Sequence, residues 1–433
     1  MKIFLVLHQF SAGVLGGSER VVHALATEFR RMGHEAVVVA GSLERAEASR
    51  VDHEMVDGIP VLRLHRDDLY FESWWKAWSP GVSATFLRLL HEQRPDVVHV
   101  HHWLRTTTDF VRQARAFGAV TAVTLHDHFA VLGKSVRAFG EDRPLPPLAQ
   151  GLVGPRERDE VFAFHRDDLA DEILAANLRY APSRAHADSL SVLAPRDLGE
   201  IAVSPPPHHS LPPRAVANRP SGRRLISWGA LYEAKGIHVL LAALRIAKER
   251  GHSWELDLHG SPSNAEYSKE LDAAASGLVV RRHGTFTPLD LARSVADFAV
   301  FPALSHESYG LVIDEAQALG WPMLVSDLPA YREHAAERST LFFRPGDAKS
   351  LAALLCAPER LESLARPDPP RLNSAAAAAE HLLSDYLADR LEKGARVDAP
   401  AVDDARRIRL LWARAERRYW SALQQAEPPA PQE

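Results

Sequence analysis

The sequence predicts an α/β protein that consists of two doubly wound domains, each built around a parallel sheet. Its length of 433 residues exceeds what one ordinary hydrophobic core contains. Short apolar runs alternate with helical patterns in both halves of the chain, which is typical of parallel sheets. The segment SPPPHHSLPP, residues 204–213, can continue neither a helix nor a central strand, so it separates the two halves.

The first half, predicted as a domain of residues 1–204, begins with an apolar strand at residues 3–7. Apolar side chains then recur at helical spacing from Val21 to Met32, and Gly33 ends that helix. Further apolar runs predict strands at residues 36–40, 61–64, 96–100, 120–125 and 178–181.

The second half follows a linker at residues 205–222 and is predicted as a domain of residues 223–395. Helical patterns such as residues 237–248 separate its apolar runs. These runs predict strands at residues 225–228, 255–258, 279–282, 298–301, 323–325 and 341–343. A charged stretch then leads to a last helix near residues 405–423.

Composition excludes several classes of protein. A formal charge of -5, with 25% of the residues charged, gives no reason to expect nucleic-acid binding. The single cysteine, Cys356, excludes an internal disulfide framework and favours a reducing compartment. Because no apolar run approaches the ~20 residues of a membrane span, we expect a cytoplasmic protein that is not integral to a membrane.

Two glutamates point most directly to a ligand. Glu307 lies in the loop after the predicted strand 298–301, and Glu315 lies one to two turns into the helix that follows. Ligands of α/β sheets bind at the carboxyl ends of strands, where free N–H groups near Gly310 would face an anion. Carboxylates accept from hydroxyl groups, so two of them beside an anion site predict a sugar nucleotide. The alternative is that both glutamates lie on a solvated helix face.

Two glycine-containing segments are candidate phosphate sites because both connect a strand to a helix. In the first, GVLGGSE at residues 13–19, the spacing does not match a dinucleotide-binding fingerprint, although Glu44 follows the second strand. A plain turn with Ser18 as the helix N-cap is the alternative. In the second, GALYEAKG at residues 229–236, Lys235 can neutralise the charge of a diphosphate.

Histidines follow two of the predicted strands. His99, His101 and His102 would supply two zinc ligands, but strand alternation divides them between two faces and no further ligand pattern is evident. His126 directly follows the predicted strand at residues 120–125. This position alone is also typical of a strand-end histidine whose ring is hydrogen-bonded within the protein and binds no ligand.

Three segments resemble motifs of the family 4 glycosyltransferases of GT-B fold. Residues 302–310 (PALSHESYG), followed by Glu315-Ala316 and Gly320-Trp321-Pro322, resemble the donor motif of that family. Residues 16–19 (GGSE) resemble its Gly-Gly-x-Glu segment, and residues 124–127 (TLHD) resemble its Thr-Leu-His-Asp segment. The resemblance implies two Rossmann-like domains that face each other across a cleft. It also implies that a C-terminal helix, at about residues 400–425, crosses back to the first domain.

The resemblance assigns roles to residues of this sequence. Glu307 would contact the donor sugar, Glu315 would bind the ribose diol, and His126 would lie at the cleft floor near the reacting centre. His126, Lys235 and Glu307 are therefore the predicted catalytic residues. The predicted donor-binding residues are Gly16, Gly17, Gly229, Lys235, Glu307, Ser308, Tyr309, Gly310, Leu311 and Glu315. The predicted acceptor-side residues are Glu19, Asp127 and His102.

The implied reaction transfers a sugar from a nucleoside diphosphate of UDP or GDP type to an acceptor hydroxyl, with retention of configuration. It needs no metal and no other cofactor. Many relatives carry arginine directly after the first glycine of the segment at 229–236, whereas this chain has Ala230. The loss of that phosphate partner would cost ~2 to 4 kcal/mol of leaving-group stabilisation unless another cation replaces it. Arg281 and Arg282 are candidates, with ordinary strand-surface charge as their alternative role. A catalytically silent sugar-nucleotide-binding protein, or a GT-B phosphorylase or epimerase, is the alternative.

The acceptor is a glycan, a lipid-linked glycan or a small molecule on this interpretation. The aromatic residues 70–78 suit contact with a sugar ring or a membrane interface, with core packing as the alternative. The arginine-rich last helix suits peripheral contact with anionic lipid on the cytoplasmic membrane face, or simply a solvated basic face. The proline-rich residues 131–165 would shape the acceptor site.

Overall fold

A computed structural model describes residues 1–13, 16–66, 78–132, 137–138, 166–208, 211–212, 223–368, 370 and 372–392. The described residues form an eight-stranded sheet, a six-stranded sheet and a short two-stranded ladder. Helices pack against the two large sheets, so the prediction of an α/β protein with two parallel-sheet domains is confirmed. The aromatic residues 70–77, most of the segment at 131–165 and the last predicted helix lie outside the described residues.

The first domain contains nine strands and six helices among the described residues. The strands are β1 (Lys2–Leu7), β2 (Glu35–Arg45), β3 (Val51–Val56), β4 (Ile59–Arg66), β5 (Val97–Val100), β6 (Val120–Thr124), β7 (Arg137–Ala138), β8 (Leu178–Ala181) and β9 (Ala202–Val203). The helices are α1 (Gly17–Arg31), α2 (Pro80–Gln93), α3 (Phe110–Phe117), α4 (Phe129–Leu132), α5 (166–175) and α6 (Arg184–Leu193). The large sheet has the order β3-β4-β2-β1-β5-β6-β8-β9.

One edge of the first sheet differs from the parallel arrangement that the sequence predicts. β3 pairs antiparallel with β4, and Asp57 and Gly58 form the turn between them with φ of 50° and 78°. Two positive φ angles suit the two-residue turn that joins twisted antiparallel strands, and Asp-Gly is a preferred sequence for it. β3 was missed because three consecutive polar residues, 52–54, interrupt its apolar residues, as an edge strand allows.

The second half of the chain contains seven strands and eight α-helices among the described residues. The strands are β10 (Arg224–Trp228), β11 (Glu255–His259), β12 (Val279–Gly284), β13 (Phe298–Phe301), β14 (Ser305–His306), β15 (Met323–Ser326) and β16 (Thr340–Phe343). The helices are α7 (Ile237–Glu249), α8 (Ala265–Ala275), α9 (Pro288–Arg293), α10 (Leu311–Ala318), α11 (Pro329–His334), α12 (Ala348–Leu355), α13 (Pro358–Glu362) and α14 (Ala375–Glu392). The six strands of the sheet run parallel in the order β12-β11-β10-β13-β15-β16.

Helix α14 packs on the first domain, although it follows the second domain in sequence. Its apolar face, which includes Ala379, Leu382 and Tyr386, is buried against α1 and the first sheet. Tyr180 also donates a hydrogen bond of 2.6 Å to Asp385. The predicted domain boundary at residue 395 therefore needs correction, because the chain returns to the first domain before residue 378.

The two domains touch directly beside the loop that carries Glu307. Ser183 Oγ, at the start of α6, donates a 2.6 Å hydrogen bond to the carbonyl oxygen of Ser308. The backbone N–H groups of Arg184 and Ala185 donate to the two carboxylate oxygens of Glu333, each at 2.8 Å. β7 of the first domain also pairs antiparallel with β14 of the second. The first domain thus helps to fix the position of this loop.

No helix within the described ranges is long and apolar enough to cross a membrane.

Candidate active site

A cleft of about 910 Å³ lies between the two sheets and is lined by both domains. On the second domain it lies at the carboxyl ends of β10 and β13, where Trp228 and Phe301 end those strands. Parallel sheets bind ligands at this edge because several loops and helix N-termini meet there. The cleft brings together Gly16, Gly17, His126, Gly229, Lys235, Glu307, Ser308, Tyr309, Gly310, Leu311 and Glu315.

The loop between β13 and α10 turns sharply at Gly310. This residue has a φ of 91°, and a methyl group at its Cβ position would collide with the ring of Tyr331. Only glycine meets both conditions without strain. α10 begins at Leu311 without a side-chain cap from any described residue, so the N–H groups of Leu311 and Val312, which line the cleft, can bind an anion there.

A buried polar network supports the same loop and was not predicted. Tyr309 donates to Asp314 at 2.7 Å, and His334 Nδ1 lies 2.7 Å from the other oxygen of that carboxylate. His334 Nε2 lies 2.8 Å from the carbonyl oxygen of Tyr309. Burial lowers the pKa of His334, but the hydrogen bond and charge of Asp314 raise it more, so that the pKa lies above its ordinary value. A charged His334 therefore donates from both ring nitrogens and ties α11 to the loop.

Lys235 and Glu307 form an ion pair in the cleft, with 2.6 Å between Nζ and Oε1. Burial lowers the pKa of Lys235, but the Glu307 carboxylate and the Tyr232 hydroxyl raise it more, so that it lies above the ordinary value. The two loops can approach closely because Gly236 has no side chain: a methyl group there would collide with the carbonyl oxygen of Pro302. Lys235 therefore remains charged and holds Glu307 in one orientation.

Glu315 is oriented by Trp228. The indole Nε1 donates a hydrogen bond of 2.6 Å to Glu315 Oε2, and the Trp228 ring is fixed in turn by an edge-to-face contact with Phe301 at 4.7 Å. The other Glu315 oxygen has no hydrogen-bond partner within the described part of the chain, and the residue lines the cleft. This oxygen is placed to accept from a hydroxyl group of a ligand.

The glycine-rich segment leads into α1, but Ser18 is not the N-cap of that helix, contrary to the plain-turn alternative. The helix N-cap is Gly16, and Ser18 donates to Glu19 at 2.9 Å instead of capping the helix. Glu19 is only 3% exposed and also accepts a 2.7 Å hydrogen bond from Gln9. Glu19 therefore supports the turn from below, while Gly16 and Gly17 line the cleft.

His126 is held by a second histidine at the end of the neighbouring strand. His126 Nε2 lies 2.8 Å from His101 Nδ1, and the two ring planes differ by 18°. Burial is the main cause that lowers the pKa of His126 to about 4. His126 is therefore neutral near pH 7 and lines the cleft as a hydrogen-bonding group rather than as a cation.

Asp127 and His102 lie outside the set of described residues that line the cleft. They approach each other at 3.3 Å, and each also accepts a backbone hydrogen bond, from Phe129 and Leu104 respectively. His99 lies 2.8 Å from Thr124 Oγ1 and 2.7 Å from the Tyr386 hydroxyl. No group of three candidate metal ligands is found among the described residues.

Arg281 and Arg282 do not replace the arginine that is missing at position 230, where this chain has alanine. Arg281 pairs with Glu255 at 2.8 Å and Arg282 pairs with Asp272, so both are engaged by other acids. Arg20 of α1 instead lines the cleft from the first domain. It stands one helical turn after Gly16, and this spacing is the sequence signal that would have identified it.

Two family models match the chain. The first, described as Glycosyl transferase 4-like domain, matches residues 16–166, and the second, described as Glycosyl transferases group 1, matches residues 222–357. Each match falls within one of the two sheet domains, and together they cover more than half of the chain.

Curated relatives align over most of the chain. Glycogen synthase from Mycobacterium tuberculosis (strain CDC 1551 / Oshkosh) is 26% identical over 374 residues, which is 82% of this chain and 84% of the relative. D-inositol 3-phosphate glycosyltransferase from Rhodococcus erythropolis is 26% identical over 441 residues, with 94% of each chain covered.

Solved structures share the fold. Sucrose-phosphate synthase from Thermosynechococcus elongatus superposes with a TM-score of 0.61 at 18% identity, and the match covers 95% of this chain and 100% of the other. HepE from Anabaena, solved in complex with UDP-glucose, superposes with a TM-score of 0.57 at 16% identity, over 90% of this chain and 98% of the other.

Proposed function

Because this chain belongs to the family 4 glycosyltransferases of GT-B fold, we propose that it transfers a sugar from a nucleoside diphosphate sugar to an acceptor hydroxyl with retention of configuration. Relatives named as glycosyltransferases align over most of the chain. The acceptor is a glycan, a lipid-linked glycan or a small molecule, since the names of these relatives include both a polymer synthase and an inositol phosphate glycosyltransferase.

The observation that carries the proposal is the pair of oriented carboxylates in one cleft. Trp228 orients Glu315 and Lys235 orients Glu307, and the uncapped start of α10 lies between these two glutamates in sequence. Carboxylates suit the ribose diol and the donor sugar hydroxyls, while helix N–H groups suit the diphosphate. Solved structures of this fold include complexes with UDP, with UDP-glucose and with ADP, which supports a nucleotide in this cleft.

The ion pair also bears on the mechanism. A carboxylate that accepts a 2.6 Å hydrogen bond from an ammonium group is a weakened nucleophile, so Glu307 suits sugar binding better than covalent catalysis. We therefore favour displacement on the face from which the diphosphate departs, with a phosphate oxygen taking the acceptor proton. Lys235 and the first N–H groups of α10 would stabilise the charge that develops on the diphosphate. His126, which is neutral, would donate or accept a hydrogen bond at the reacting sugar.

A catalytically silent sugar-nucleotide-binding protein is the second candidate. Ala230 favours it, because a cation missing beside the diphosphate weakens stabilisation of the leaving group more than it weakens ground-state binding. The two candidates differ in turnover and agree in nucleotide binding.

Calorimetry with UDP, GDP, ADP and dTDP tests the donor site, with Glu315→Ala as the informative variant. We expect one nucleotide to bind selectively and Glu315→Ala to abolish that binding, while Glu249→Ala, an exposed glutamate of α7, leaves it unchanged. Incubation with the matching nucleotide sugars and an acceptor panel then separates transfer from silent binding, and NMR of the product's anomeric proton reports its configuration. Failure of the wild-type protein to bind any of the four nucleotides would refute the proposal.

A further inference from the structure

Charge in the cleft is poorly matched to a diphosphate if only the second domain is considered. Among the described lining residues, Asp57, Glu307 and Glu315 carry negative charge, and Lys235 and Arg20 carry positive charge. Lys235 is the second domain's contribution, and its ammonium group is already paired with Glu307 at 2.6 Å. A ligand that brings two or three negative charges requires a further cation, since unpaired phosphate charges in a partly enclosed site are costly.

Arg20 is placed to provide this cation. It is the fourth residue of α1, it is half-buried, and it lines the cleft together with Gly16 and Gly17. Its guanidinium group has neither a hydrogen bond nor an ion pair with any residue that the structure describes. The acid on the same wall, Asp57, instead lies 3.7 Å from His23. Because the Arg20 guanidinium lines the cleft and is not paired with a carboxylate of any described residue, it is available to a ligand.

We propose that Arg20 binds the diphosphate of the donor from the first-domain side of the cleft. Arg20 then supplies the positive charge that is missing at position 230, where this chain has alanine. The proposal rests on the proposed function, because it concerns the ligand of the same site. Guanidinium presents a planar fork of N–H donors that matches two phosphate oxygens, which a lysine cannot reproduce. The diphosphate then contacts Lys235 on one domain and Arg20 on the other.

Calorimetry with a nucleoside, its monophosphate and its diphosphate distinguishes a phosphate contact from a general effect on the site. The base is the one that the wild-type protein selects. We expect Arg20→Ala to weaken diphosphate binding by about 10- to 100-fold, which corresponds to the loss of one or two hydrogen bonds to a charged group. We expect the nucleoside to bind as before, and Arg20→Lys to give an intermediate loss.

Two further variants sharpen the comparison. Arg30→Ala removes an exposed arginine from the other end of the same helix and should change nothing. Ala230→Arg in the Arg20→Ala background should restore much of the diphosphate affinity, because the cation then comes from the second domain. Circular dichroism and thermal melting confirm that each variant is folded.

The inference is overturned if Arg20→Ala leaves diphosphate affinity unchanged, or if it weakens nucleoside and diphosphate equally. The second outcome would make Arg20 a structural residue of the cleft wall. A wild-type protein that binds no nucleotide at all would instead refute the proposed function, and the Arg20 proposal with it.

Discussion

His101 Nδ1 lies 2.8 Å from His126 Nε2, and the planes of the two imidazole rings differ by only 18°. Burial is the largest cause of a lowered pKa in both imidazoles. The pKa of His126 falls to about 4 and that of His101 lies well below its ordinary value, so both rings are neutral near pH 7. A neutral imidazole has one donor and one acceptor nitrogen. The hydrogen bond to His101 therefore occupies one His126 nitrogen and leaves the other for a ligand in the cleft.

We expect His101→Leu to reduce turnover at saturating donor and acceptor by roughly tenfold, because the His126 ring loses the contact that orients it and small errors of position are costly in catalysis. Nucleotide affinity should stay within about twofold, because Glu315, Lys235 and the α10 N-terminus are unchanged. Initial rates and calorimetry on the same samples measure the two effects, and His53→Ala, on the exposed part of β3, is the control. Equal losses in binding and turnover would contradict a role in positioning His126.

Acid should destabilise the protein through buried histidines such as His99. This residue is fully buried, and burial lowers its pKa to about 3. The unfolded chain takes up a proton below pH 6.5 while the folded protein does not, so His99 lowers stability progressively as the pH falls from 6.5 toward 3. Between pH 7 and pH 5, His99 alone should lower the free energy of unfolding by about 2 kcal/mol.

Urea unfolding at pH 7 and pH 5 measures this loss. We expect the difference in the free energy of unfolding between the two pH values to be smaller in His99→Gln, although the variant is less stable at both. A pH dependence that is identical in His99→Gln and in the wild-type protein would show that other groups cause the acid sensitivity.

Gly310→Ala and Gly320→Ala separate backbone strain from a collision in the cleft. Both glycines have positive φ, 91° and 72°, so alanine at either position should cost roughly 1 to 2 kcal/mol. Only Gly310 faces an atom that a methyl group would strike, the Tyr331 ring, whereas the space at Gly320 is open. We expect Gly310→Ala to cost about 1 to 3 kcal/mol more and to weaken nucleotide binding, while Gly320→Ala binds normally. Thermal melts and calorimetry give both quantities, and similar behaviour of the two variants would be inconsistent with this account.

Trp228→Phe should weaken nucleotide binding by roughly fivefold to tenfold, because Glu315 loses the 2.6 Å hydrogen bond that orients it. Trp254→Phe is the matched control: its indole donates to the carbonyl oxygen of Leu355 at 3.2 Å, and it does not line the cleft. Calorimetry on both variants measures the difference. Unchanged affinity in Trp228→Phe would mean that the ligand does not depend on the orientation of Glu315.

The strands and the residues of the donor loop could be predicted because strands buried on both faces of a parallel sheet appear as uninterrupted apolar runs, such as residues 298–301. The loops that follow such runs are therefore easy to locate. Residues on different domains could not be related in the same way. Ser183 and Ser308, for example, are 125 positions apart and meet only after both domains fold. The same holds for Arg20 and Ala230, which line one cleft only because the two domains face each other.

Because α14 packs on the first domain, that domain can complete its core only after nearly all of the described chain has been synthesised. Phe29 and Tyr180 leave the ribosome early, yet Tyr386 and Asp385, which contact them, are made only after the whole second sheet. Until α14 is made, the apolar side chains that it buries stay uncovered, and exposed apolar surface favours binding by chaperones and aggregation. If the first half were made alone, this apolar surface would stay uncovered, so we expect the first half to be less soluble without α14.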